Sequence, residues 1–321
     1  MPSKTRGCRA VLLPLAQINL VQMKKEVEIR RGMLRRIIRG RSPDSHKGDY
    51  GRVIVVGGGS RYVGAPALAA LAALRTGSDL AIVAGPEKTA WTINALSPDL
   101  ITVKLRCEDL DPGSIGAVLD EVGKASALVI GPGLGREEKT LEAVAMLLGE
   151  LRNRSPALPA VIDADALNVV SSKISRGMPW VLTPHAGELG GMMKRQPPSG
   201  LEQRMEAARS AADEFGCVVL LKGNVDVIVS PQGEVRLNRT GNPGMTVGGT
   251  GDVLSGIVGS LLGQGHPPFE AAWAGAWICG RAGDLCMKEK GYEFVASDLL
   301  DKIPEVFREI RGDKAGKVQR R

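Results

Sequence analysis

Seven short apolar runs, at 53–56, 80–84, 101–105, 127–130, 160–162, 180–183 and 218–221, are each bounded by Gly, Pro or Asp, and most are separated by stretches of helical periodicity. An unbroken apolar run has no face to give to water, so a strand built from it must be covered on both sides. Alternation of such strands with helices predicts an α/β domain with a mostly parallel central sheet and helices on both faces. The stretch 65–75, with Ala and Leu at nearly every position, reads as a helix buried on most of its surface. The runs 226–229 and 234–237 flank Ser230-Pro231-Gln232-Gly233 and predict an antiparallel hairpin at a sheet edge. From Thr250 to about Arg311 the chain reads as mainly helical.

A net charge of +7 would suggest a nucleic-acid partner, but it is not spread along the chain. Residues 1–47 hold 12 Lys and Arg against Glu26, Glu28 and Asp44, a local +9 that leaves −2 for the remainder. The expected organisation is a basic N-terminal extension (1–41), a catalytic domain (42–312) and a short basic C-terminal tail (313–321). Arg30, Arg31, Arg35, Arg36, Arg39 and Arg41 read as a solvated charged helix, and nucleic-acid binding is a minor alternative. Cys8, Cys107, Cys217, Cys279 and Cys286 are odd in number and contain no C-x-x-C pair, which argues against a disulfide framework and a zinc site and fits a reducing cytoplasm. The segment 11–21 is too short and too interrupted to span a bilayer, so no membrane association is expected.

In open parallel sheets ligands bind beyond the carboxyl ends of the strands, so the residues just after each apolar run carry the most information. Here they are Gly57-Gly58-Gly59-Ser60, Gly131-Pro132-Gly133-Leu134-Gly135, Asp163-Ala164-Asp165, Pro184-His185-Ala186-Gly187-Glu188 and Lys222-Gly223-Asn224. The string from Gly241 through Gly248-Gly249-Thr250-Gly251-Asp252 enters a helix directly. Glycines let backbone amides approach a ligand, and a helix start offers unpaired N–H groups with the positive end of the dipole, so Gly249, Thr250 and Gly251 predict an anion hole. Asp252 beside it is placed to take a proton from a hydroxyl attacking phosphorus, although an Asp here could instead cap the helix. Asp163 and Asp165 could hold Mg²⁺ or hydroxyls, or cap the next helix.

The G-x-G-D ending resembles that of ribokinase-like phosphotransferases. The longer string Asn242-Pro243-Gly244-Met245 to Asp252 resembles the dehydratase part of NAD(P)H-hydrate repair enzymes. His46 to Gly51, Tyr62-Val63-Gly64-Ala65, Gly131 to Gly135, Asp163 to Leu167 and Thr183-Pro184-His185 extend the likeness over residues 42–305. The resemblance implies a ribokinase-like fold and an ADP- or ATP-dependent dehydration of the 6S hydrate of NADH or NADPH, in which the C6 hydroxyl is phosphorylated and phosphate then leaves. It places the hydrate near Ala65, Gly133, His185 and Asp252, and the nucleotide near Lys222, Gly223, Asn224, Gly249, Thr250 and Gly251. Mg²⁺ would bridge the nucleotide phosphates with few protein ligands, so no residue is assigned as a metal ligand.

The chain departs from the family pattern at Asp226, where Thr is usual, at Ala186, where Pro is usual, and at Ser78-Asp79, where a small pair is usual; these changes put nucleotide affinity in question. Residues 1–41 are too few for the epimerase domain found in many relatives, so a separate epimerase is the expected partner. A homo-oligomer, with a tetramer as the family habit, is also expected. A small-molecule kinase with the same fold, for instance one acting on a vitamin precursor, is the nearest alternative. A dinucleotide-binding oxidoreductase is disfavoured because Gly57, Gly59 and Gly64 do not make G-x-G-x-x-G.

Overall fold

The computed structural model describes residues 26–38 and 40–312. Ten strands form one sheet: β1 (Val27–Glu28), β2 (Arg52–Val56), β3 (Leu80–Pro86), β4 (Ile101–Leu105), β5 (Ala127–Ile130), β6 (Ala160–Ile162), β7 (Trp180–Leu182), β8 (Val218–Leu221), β9 (Asp226–Val229) and β10 (Val235–Asn238). Their order across the sheet is β1-β10-β9-β8-β7-β6-β5-β2-β3-β4. Strands β2 to β8 pair in parallel, and β9 runs antiparallel to β8 and β10. The expected mostly parallel sheet with a hairpin is therefore formed, with only the two-residue β1 outside the hairpin.

Alternate side chains of the central strands face opposite layers, which is why their sequences are apolar at every position. Val53, Val55 and Val129 pack beneath the helices Gly64–Thr76, Thr250–Gly263, Pro268–Lys290 and Ala296–Arg311. Ile54, Val56, Leu128 and Ile130 face the helices Ile115–Val122, Glu138–Arg154 and Leu201–Phe215. Trp273 and Trp277 are buried in the first of these layers, so they are core and not a base-stacking surface.

The chain runs outward from β2 to β3 and β4, then returns to place β5 on the other side of β2. The strand order therefore reverses between β2 and β5, and the crevice outside their carboxyl ends is the place where such sheets bind ligands.

Part of the stretch expected as an extension is built into the domain. β1 pairs with β10, the amide of Ile29 donates to the Leu237 carbonyl at 2.9 Å, and the helix Arg31–Ile37 turns Leu34 fully inward. Arg30, Arg31, Arg35 and Arg36 lie on the exposed side, as a solvated face requires. The expectations for residues 1–25, Arg39 and the tail 313–321 lie outside the described residues. Among the described residues no helix is long and apolar enough to cross a membrane.

Candidate active site

The loops leaving β2 and β5 touch where the strand order reverses. The amide of Gly58 donates to the Pro132 carbonyl at 2.8 Å. Gly131 follows β5 with φ +126°, and a Cβ there would lie 1.8 Å from the Asp163 carbonyl oxygen, so only glycine fits. Gly133 lies against the start of the helix Gly64–Thr76: a Cβ on it would stand 3.2 Å from that of Ala65. The two positions assigned to the hydrate are thus neighbours.

The predicted anion hole is the start of the helix Thr250–Gly263. Gly249 occupies the N-cap with φ +99°, and no side chain caps the helix. The Thr250 hydroxyl instead donates to the carbonyls of Met245, at 2.8 Å, and Val247, at 3.2 Å, which pins the preceding loop against the helix. First-turn amides have no partner within a helix, so those of Thr250, Gly251 and Asp252 are left for an anion. Asp252 is the third residue of this helix and does not cap it, which removes the capping alternative.

Lys222, at the end of β8, reaches under this turn. Its Nζ lies 3.5 Å from where a Cβ on Gly251 would stand, and its side chain is one-fifth exposed. It donates to Asp163 Oδ1 at 2.9 Å, and Glu188 Oε2 lies 4.0 Å away. A solvent-facing lysine is therefore excluded. Burial works against the Lys222 charge, but Asp163 and Glu188 overcome it and hold the ammonium above its usual range. Burial likewise works against Asp163, and Lys222 and Ser255 overcome it to hold that carboxyl below the usual range. The pair is charged. Burial and then the negative charge of Asp163 push Asp252 up to about 7, with Lys222 opposing. Asp252 is thereby poised to take up a proton near neutrality.

His185 caps the helix Ala186–Met193 through Nδ1, which accepts from the amides of Gly187 and Glu188, while Glu188 accepts from the amide of His185. Because Nδ1 accepts, the neutral ring carries its hydrogen on Nε2, on a side chain that is 59% exposed. His185 also forms a backbone bridge to Lys222, so the ends of β7 and β8 meet at the site.

In the Lys222-Gly223-Asn224 loop, Arg204 lies underneath, donating to Asn224 Oδ1 at 3.1 Å and to the Leu221 carbonyl. Asp226 turns inward, accepting from the Gly223 amide at 2.9 Å and from Asn238 Nδ2 at 3.0 Å. Burial raises its pKa above the usual value. Its carboxyl thus shapes the loop from below. Ser78 and Asp79 stand at the other end of β3: Ser78 bonds Ser260, and Asp79 accepts from Gly48 and Tyr50 and pairs with Arg41. These two residues thus hold the turn before β3 and do not reach the loops after the strands.

Of the two readings left open for the aspartates, side-chain capping is not the one formed. Asp163 makes no cap and faces inward to Lys222 and Ser255; Asp165 accepts from the Gly135 amide and pairs with Arg136 at 2.8 Å. Ser255 and Arg204 were not anticipated, and Glu188 was read only as part of the loop after the run 180–183. Glu188 had a signal in its spacing, three residues after a helix-capping position, and Ser255 had one in its position a helical turn after Asp252.

The sheet order and the glycine-led helix define a ribokinase-like α/β protein. A family model described as NAD(P)H-hydrate dehydratase matches residues 53–305, and the chain belongs to that family. It is 37% identical over 277 residues to the ADP-dependent (S)-NAD(P)H-hydrate dehydratase of Nitrosopumilus maritimus, covering 86% of this chain and 95% of that one. It is 44% identical over 268 residues to the bifunctional NAD(P)H-hydrate repair enzyme of Pyrobaculum aerophilum, covering 84% of this chain and 52% of the relative. The chain thus spans about half the length of the bifunctional relatives it matches. The ADP/ATP-dependent NAD(P)H-hydrate dehydratase of Bacillus subtilis, co-crystallised with ATP and Mg²⁺, superposes with a TM-score of 0.74 at 27% identity, over 88% of this chain and 98% of that one.

Proposed function

We propose that the chain catalyses ADP- or ATP-dependent dehydration of (6S)-NAD(P)H hydrate. One observation carries this reading: an uncapped helix start, a buried lysine ammonium and a carboxylate with its pKa near 7 share one rim. Asp252 removes the proton of the C6 hydroxyl as its oxygen attacks the terminal phosphorus of the nucleotide. The amides of Gly249, Thr250 and Gly251, with Lys222, neutralise the phosphoryl oxygens as charge redistributes. Phosphate then departs with the electrons of the C6–O bond, and loss of a ring proton restores the dihydronicotinamide. Ala65 and Gly133 supply a wall for the hydrate, and His185 donates from Nε2 to its phosphate or ribose. Gly223 and Asn224 carry the nucleotide side.

Among the described residues no group of three His, Cys, Asp or Glu forms a metal cage. The donor set fits Mg²⁺ carried on nucleotide phosphates that rest on the helix-start amides. Such an ion would supply charge neutralisation to the leaving nucleotide. We also propose a cytoplasmic setting, in keeping with free Cys107, Cys217, Cys279 and Cys286, a catalytic domain of residues 42–312 onto which residues 27–38 are built, a separate epimerase as metabolic partner, and a homotetramer.

Purified protein incubated with NADH hydrate, Mg²⁺ and either nucleotide tests the reaction. Phosphate release should track recovery of reduced-nicotinamide absorbance. Accumulation of a phosphorylated hydrate with no absorbance gain would identify a kinase instead.

A further inference from the structure

Asp163 is 1% exposed, and none of the steps above uses it. Its oxygens are committed separately: Oδ1 to Lys222 Nζ at 2.9 Å, Oδ2 to the Ser255 hydroxyl at 2.5 Å. These partners join three elements, since Asp163 follows β6, Lys222 follows β8 and Ser255 lies in the helix whose start is the predicted anion hole. The Ser255 hydroxyl also touches the Gly251 carbonyl at 3.0 Å, so the clamp reaches the hole itself. A lysine ammonium on four flexible carbons does not hold a fixed place unaided.

We infer that Asp163 is a positioning residue that fixes the Lys222 ammonium beneath the first turn of the helix Thr250–Gly263, so that an arriving phosphoryl group meets a cation already in place. The inference rests on reading that helix start as the phosphoryl site. Without Asp163 the ammonium would be drawn to Glu188, whose Oε2 is 4.0 Å away on the helix Ala186–Met193.

A double-mutant cycle in the full chain, read by calorimetric ADP affinity, separates positioning from simple support. Lys222→Gln should weaken ADP binding about 10- to 100-fold, the loss of a charge-assisted contact. Asp163→Asn should approach that loss, and the double variant should bind no worse than Lys222→Gln alone. Each single variant strands one buried charge of the pair, whereas the double variant removes both. If a single variant fails to fold, the double variant must still show the loss of about 10- to 100-fold against wild type, and wild-type affinity in it overturns the inference. A second readout is rescue by the conservative variant. Asp163→Glu keeps a carboxylate able to hold the Lys222 ammonium and should bind ADP within a fewfold of wild type, whereas Asp163→Asn, which keeps the volume and an acceptor for the Ser255 hydroxyl, should not; a purely structural clamp predicts the reverse order. A double variant binding ADP tenfold or more worse than Lys222→Gln overturns the inference. Wild-type protein that binds ADP but leaves NADH hydrate unchanged refutes the dehydratase reading and leaves the cycle decisive. If ADP does not bind the wild type, both fall.

Discussion

At the residue scale the proposed chemistry depends on one carboxylate that is proton-hungry because its charge is destabilising where it sits. Burial and the neighbouring Asp163 raise Asp252 to about 7. A general base must be deprotonated in the free enzyme, so kcat/KM should fall about tenfold per unit below pH 7. A steady-state profile with no acid limb between pH 6 and 8 would exclude Asp252 as that base. The same shift has a stability consequence of known sign. A carboxyl whose folded pKa lies above its unfolded value disfavours folding as pH rises from the unfolded pKa through the folded one. Asp252→Asn should therefore abolish turnover, leave nucleotide binding largely intact and raise stability at pH 8 by up to roughly 4 kcal/mol, a gain that vanishes by pH 4. Urea unfolding at the two pH values, with equal effects at both, would contradict it. Asp252 was legible because glycines and a helix start surround it in the sequence. The role of Asp163 was not, because its partners lie 59 and 92 residues away and a strand-end Asp ordinarily caps the next helix.

At the scale of elements, the strands of the parallel sheet were legible to within a residue or two because, the edge strand β4 apart, both of their faces are buried, leaving an apolar run with sharp ends. β1 was not, and the helix Arg31–Ile37, legible as a solvated charged helix, gave no sign of its packing: two residues of strand and one fully buried side chain carry no periodic signal, and their places are set by β10 and by the helix Ala296–Arg311. Helix glycines were equally mute about their reasons. Gly256 lies where a Cβ would come 2.0 Å from the Ala69 carbonyl oxygen, so it lets the anion-hole helix sit against the helix Gly64–Thr76. Gly149, in the helix Glu138–Arg154, has nothing within 4 Å of a Cβ. The same substitution should therefore have opposite signs. Gly149→Ala should stabilise by about 0.5–1 kcal/mol through helix propensity, whereas Gly256→Ala should cost about 2–3 kcal/mol or more by overpacking and lower activity by moving the first turn. Denaturation midpoints of the two variants settle it, and a neutral Gly256→Ala would mean the helices can separate freely.

At the scale of the whole molecule, the question is whether residues 27–38 are an appendage or part of one cooperative unit. A basic, aromatic-poor segment reads as an appendage, yet it covers the open edge of β10 and sends Ile29, Leu34 and Ile38 into the layer that also holds the helix Thr250–Gly263. Leu34 is completely buried, and Arg35 donates to the Arg311 carbonyl, so this segment joins the edge of the sheet to the last described helix. If that packing belongs to the common core, Leu34→Ala removes buried methyl groups and leaves a cavity, and should destabilise global unfolding by about 2–4 kcal/mol. Far-ultraviolet dichroism and tryptophan fluorescence should then move together along urea, since Trp180, Trp273 and Trp277 are buried in the two layers on either side of the sheet. An appendage predicts a shift below about 0.5 kcal/mol, as for a surface substitution, with the two probes unchanged from wild type. The rate of hydrate turnover at low denaturant should be the same in both cases, because the helix that carries Leu34 packs on the helix Ala296–Arg311 and not at the carboxyl ends where the glycine loops meet.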